Sequence, residues 1–175
     1  TTTWPSNVII FREPRWEAVT LPNVPLTVHG FGFDGPDISQ NPFGELTVPS
    51  DGCIHVAIAH GAEMASLPPE KGAYAPFQAK QLDLPELRYV ALGHYHTFEE
   101  IHTPNGTRLC YPGAPEGLGF NEVGERYFLE VEISADTTEI RKVPSARTMY
   151  SIHRIDCSTF VTAQQLVEAI RGCSL

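Results

Sequence analysis

Two apolar runs, each ending in a glycine and a histidine, constrain this chain more than any other feature. Residues 54–59 read IHVAIA and lead into His60-Gly61, and residues 89–92 read YVAL and lead into Gly93-His94-Tyr95-His96. Short, uninterrupted apolar runs bounded by turn residues are the pattern of strands buried on both faces. In open α/β sheets, ligands gather at the carboxyl ends of such strands. A histidine at that point has a rigid base and a side chain available to a ligand. Residues two apart in an extended segment project to the same side, so His94 and His96 can converge. Gly93 lets the backbone turn there without a Cβ. Neutral imidazole is the commonest metal ligand near neutral pH.

A His-x-His by itself also fits an incidental pairing, and His60 at the end of a second strand sharpens the reading toward metal. Three imidazoles suffice for one tetrahedral zinc site with an open position, whereas a two-metal site requires a bridging carboxylate as well. The other four histidines fit structural places. His29, within LTVHGFG, is expected to pack in or beside a sheet. His55 opens a strand and His102 precedes a turn, so both are expected at the surface. His153 is expected on a solvated strand face.

The rest of the chain is rich in short β-type runs. Strands are expected over residues 7–11, 17–21, 26–33, 98–102, 108–111, 126–133, 139–143 and 149–156. Asn105-Gly106 between two of them is a hairpin signal. Loops are expected over residues 34–49, 64–76 and 112–124, where glycine and proline recur. A short helix is expected over residues 77–84, stopped by Pro85. A clearer one is expected over residues 162–171, with Leu166, Val167 and Ile170 on one stripe and Gly172 as its stop. The stretch around Pro144-Ser145-Ala146 reads as a junction, dividing the chain into residues 1–145 and 146–175.

At 42% hydrophobic and 19% charged residues the composition is that of a globular protein. The net charge of −9 counts against a protein that grips phosphate backbones with its own surface. It leaves room for a metal-dependent nuclease, because bound cations supply the local positive field. The four cysteines are far apart and form no Cys-x-x-Cys, which fits free thiols in a reducing cytoplasm. No run of apolar residues is long enough for a membrane span, and no signal-peptide pattern occurs. The opening Thr1-Thr2-Thr3-Trp4-Pro5 reads as the interior of a longer protein.

The strings AIAHG, YAPF, YVALGHYHTFEEI and YPGAPEGLGFNEVGERYFLEVEI together resemble the calcineurin-like metallophosphoesterases, and among them the SbcD-type DNA repair exonucleases and their YhaO-like relatives. The resemblance covers nearly the whole chain, most firmly residues 54–133. It implies an α/β fold. This chain would form the β-rich second half of a four-layer α/β/β/α sandwich (residues 1–145), followed by the opening strand and helix of a capping domain (residues 146–175). It implies two divalent metals, most often manganese, with His60 and His94 on one and His96 on the other. Tyr95 and Glu116 would line the substrate groove; the loop that holds Glu116 reads equally as a tight Gly/Pro turn closing the sheet. The implied activity is hydrolysis of DNA or another phosphodiester. The implied partners are an SbcC-like ATPase subunit and, as an option, a second copy in a homodimer, with no membrane involved.

The family's Asp-x-His, Gly-Asp-x-x-Asp and Gly-Asn-His motifs do not occur in these residues, so no catalytic residue is assigned. The chain alone is accordingly expected to bind metal weakly or not at all and to be inactive. Two alternatives stand beside this: a non-catalytic structural or partner-binding module with a degenerate metal site, and a single-zinc hydrolase built on the three histidines.

Overall fold

The computed structural model describes residues 4–35, 38–44, 46–66, 73–134 and 136–173. It is a mixed α/β protein, rich in sheet, with one α-helix among the described residues. Strands β1 (Trp16–Thr20), β2 (Leu26–Phe31), β3 (Ile54–His60), β4 (Leu87–Gly93), β5 (Glu99–His102) and β6 (Arg108–Tyr111) form one sheet in the order β1-β2-β3-β4-β6-β5. The four central strands, β2, β3, β4 and β6, are parallel, while β1 and β5 pair antiparallel at the two edges. Strands β7 (Tyr127–Ile133) and β8 (Thr138–Pro144) form a separate antiparallel pair. The expected strands at 17–21, 26–33, 54–59, 89–92, 98–102, 108–111, 126–133 and 139–143 are therefore present, with ends shifted by a few residues. The hairpin turn lies at Asn105-Gly106, where Gly106 takes φ +91° and donates its N–H to Thr103 at 3.0 Å.

The long connections after β2 and β3 cover one face of the sheet. Phe43 and Leu46 from the first, and Phe77 and Leu82 from the second, pack with Ala57, Ala59, Val90, Leu92, Leu109 and Tyr111 into the core. Phe43 is the hub, with ring centroids 5.3 Å from Phe31 and 5.1 Å from Phe77. Each phenylalanine, leucine or valine among them contributes about 1.5–3 kcal/mol on burial.

Several expectations are corrected here. β3 is not buried on both faces: His55, Ala57 and Ala59 are buried, while Ile58 on the opposite face is 49% exposed. The reason is that both covering connections lie on the same side. His55 is not at the surface but buried within β3, where it pairs with His29 of β2 at 3.0 Å and with Asp51 at 3.0 Å. Residues 7–11 form no strand. Val8, Ile9 and Ile10 are exposed, and the Phe11 ring lies over Gly30, occupying the space where a Cβ on Gly30 would sit. Residues 149–156 form no strand either, so His153 is exposed on an irregular segment. The short helix over 77–84 is reduced to a 3₁₀ turn, Ala79–Leu82.

The helix α1 (Ala163–Gly172) begins at Thr162, whose side chain accepts the Gln165 N–H in a capping box. Its apolar stripe of Leu166, Val167 and Ile170 is exposed. The β7–β8 pair is tied to the main sheet by Arg108, which donates to the Thr138 carbonyl, and by Lys142, whose Nζ sits 3.7 Å from the centre of the Phe98 ring. Among the described residues no helix is long and apolar enough to cross a membrane.

Candidate metal centre

The site forms where β3 and β4 end side by side. Their parallel register sets His60 beside Gly93, and Gly61 donates its N–H to the Gly93 carbonyl at 3.2 Å. Glycine is required at 93, because a Cβ there would come within 2.6 Å of His60 Nδ1. The next residue, His94, turns out of the strand with φ +124°. A non-glycine residue in that region holds strained backbone, of order 1–3 kcal/mol, which persists only where the surroundings impose it and which gathers at functional sites. The turn places the His94 ring 5.5 Å from the His60 ring, nearly perpendicular to it. Tyr74 completes the cluster, 5.8 Å from His94 and close to parallel with it, and 5.7 Å from His60 edge-on.

Burial, and secondarily the neighbouring His96, push the His60 imidazole below its ordinary pKa. Its neutral, ligand-competent form is thereby favoured near neutral pH.

His96 is held from three directions by the loop between β6 and β7. Its carbonyl accepts from Arg126 at 2.8 Å and from the Ala114 N–H at 3.3 Å. Gly113, at φ +81°, lies so close that a Cβ would stand 3.1 Å from the same carbonyl. Its ring Nδ1 hydrogen-bonds Glu122 Oε1, while Glu122 Oε2 accepts the Leu118 N–H at 2.9 Å. Those two contacts hold the Glu122 carboxyl below its usual pKa, His96 first and the Leu118 amide second.

His94, Tyr95, His96 and Glu116 line one cleft of about 410 Å³, walled also by residues 112–115 and Leu118. Tyr95 donates to the Glu63 carbonyl at 3.2 Å and packs 4.6 Å from the Tyr111 ring. Glu116 accepts the backbone N–H groups of Arg147 and Thr148, both at 2.9 Å, so its carboxylate anchors the segment after β8 while its stem faces the cleft. His29 and His55 lie apart from this centre as a buried pair within the sheet, and the His102 ring is exposed beside Glu100.

No family model matches this chain, and no curated protein matches it. The site is therefore judged on its own donors. His60 and His94 stand ring to ring beside a glycine whose missing Cβ makes room for His60, and His96, two residues on, is hydrogen-bonded to a buried carboxylate. Imidazole donors suit a borderline divalent cation such as zinc, whereas manganese calls for carboxylate or carbonyl oxygens as well. Among the described residues, however, no group of three or more His, Cys, Asp or Glu side chains is arranged to hold one metal ion.

Sequence reasoning missed Glu122 and Tyr74. Glu122 stands 26 positions from its histidine, and nothing local in GFNEVG pairs it with a cation. Tyr74 lies within the YAPF string, a signal that went unused as a site marker.

Proposed function

We propose that this chain is the β-rich C-terminal part of a two-metal phosphoesterase catalytic domain, from a manganese-dependent DNA exonuclease or related phosphodiesterase. His60 and His94 serve one metal and His96 the other. The observation that carries the reading is the convergence of His60 and His94 at the carboxyl ends of two adjacent parallel strands, with strained backbone at His94. In such a site the metals neutralise the charge of the bound phosphodiester. The chain's own part is to present imidazole ligands and to shape the adjoining cleft. Tyr95 and the stem of Glu116 wall that cleft, and Pro112, Gly113 and Leu118 close its far side. The four-layer sandwich, the capping-domain start at residues 146–175, an SbcC-like ATPase partner, homodimerisation and a cytoplasmic setting belong to the same proposal.

The test is hydrolysis of single-stranded DNA and of a chromogenic phosphodiester, with Mn²⁺, by a protein that joins this chain to an upstream half carrying the Gly-Asn-His motif. His96→Ala is expected to abolish turnover. Undiminished activity in that variant would refute the assignment.

A second reading, a non-catalytic module that packs against another structural unit, is favoured by the open face around Ile58. It requires that metal be absent from the three histidines in the joined protein as well.

A further inference from the structure

We infer that Glu122 is a positioning residue for His96: it accepts the Nδ1–H, fixes the tautomer, and leaves Nε2 as the free, outward ligand atom. This rests on the metal reading of the site. Its geometric basis is independent of that reading.

The His96 side chain is 64% exposed, whereas the Glu122 side chain is only 7% exposed. The carboxylate is thus the fixed element and the imidazole the presented one. Glu122 is fixed in turn by the Leu118 N–H at 2.9 Å on its second oxygen. The 119–122 turn is closed by the Glu122 N–H to the Gly119 carbonyl at 2.9 Å. The loop leaves room for little else: a Cβ on Gly117 would meet the Glu122 carbonyl at 2.9 Å. Arg126 and Ala114 clamp the His96 backbone from the same loop. A histidine held at its backbone carbonyl and at ring Nδ1 keeps Nε2 as its remaining ligand atom, on a side chain that is mostly exposed. The carboxylate–histidine pair is the recurring device by which proteins orient and enrich a metal-binding imidazole. Here it gives the long Gly/Pro loop a function beyond closing the sheet.

The inference is tested by two measurements on Glu122→Ala, Glu122→Gln and His96→Ala, the first of them on this chain. Long-range ¹H–¹⁵N correlation at pH 8 without metal reads the His96 tautomer. Nδ1–H is expected in the wild type, retained in Glu122→Gln, whose amide oxygen can still accept, and lost in Glu122→Ala. Mn²⁺ titration of the same variants in the protein joined to the upstream half, followed by resonance broadening, reads affinity. A loss of about 10–100-fold is expected in Glu122→Ala, with Glu122→Gln between it and the wild type.

A wild-type His96 protonated on Nε2 overturns the inference. So does a Glu122→Ala chain, shown folded by its amide spectrum, that keeps wild-type affinity while His96→Ala loses it. If His96→Ala binds Mn²⁺ as well as the wild type, the metal reading fails instead, and the tautomer alone decides the role of Glu122.

Discussion

At the scale of single residues, Gly93 and His60 are one unit. A methyl group at 93 would lie 2.6 Å from the His60 ring, so Gly93→Ala is expected to cost about 1–3 kcal/mol by overpacking. In a His60→Ala background most of that cost should vanish, because the clash partner is gone. Urea unfolding of the four chains in this cycle measures it; equal costs in both backgrounds would contradict the contact. His29 makes a second prediction. Burial is the first cause lowering its pKa, and His55 beside it is the second, with Asp51 opposing. A group whose folded pKa lies below its ordinary value of 6.5 stabilises the fold above that pH. Its contribution is lost as pH falls from there through the lower folded value. Stability should therefore decline on acidification below about pH 6.5, and His29→Gln should flatten that decline. Thermal melts from pH 8 to pH 5 check this, and an unchanged slope would contradict it.

At the scale of elements, the core rests on the two connections as much as on the strands. Phe43, from the first connection, is fully buried against Phe31, Phe77 and Trp16. Phe43→Ala is expected to cost about 3–5 kcal/mol in urea unfolding. Ile58→Thr, on the open face of β3, should change stability by no more than about 0.5 kcal/mol; a larger loss would mean that face is covered.

The strands that pair within a sheet were legible because alternation, β-branched residues and the Asn-Gly turn all agreed locally. Residues 7–11 and 149–156 carry the same β-type composition but form no ladder, because propensity yields a strand only where an adjacent edge is there to pair with. The one-sided burial of β3 was not legible: IHVAIA is apolar at nearly every position, and only the path of the flanking loops decides which face is closed. In the same way His55, which looks like a strand-opening surface residue, is buried because Asp51 and His29 supply partners for both ring nitrogens.

At the scale of the molecule, a parallel-centred sheet carries its candidate site at the carboxyl ends of two central strands and its packing on one face. His60, His94 and His96 could be picked out from sequence because strand ends and His-x-His spacing are local. Glu122, which orients His96, could not be, because the long loop brings it there only on folding. The chain carries a net charge of −9, so in the proposed reading the charge of a phosphodiester is neutralised by cations at these histidines. The most direct measurement is a Mn²⁺ titration of the protein that joins this chain to an upstream half carrying the Gly-Asn-His motif, following the seven imidazoles of this chain by NMR. Selective broadening of His60, His94 and His96 at low added metal, with His29, His55, His102 and His153 unaffected, is the predicted result. Uniform broadening of all seven, or none at the three, would contradict the metal centre.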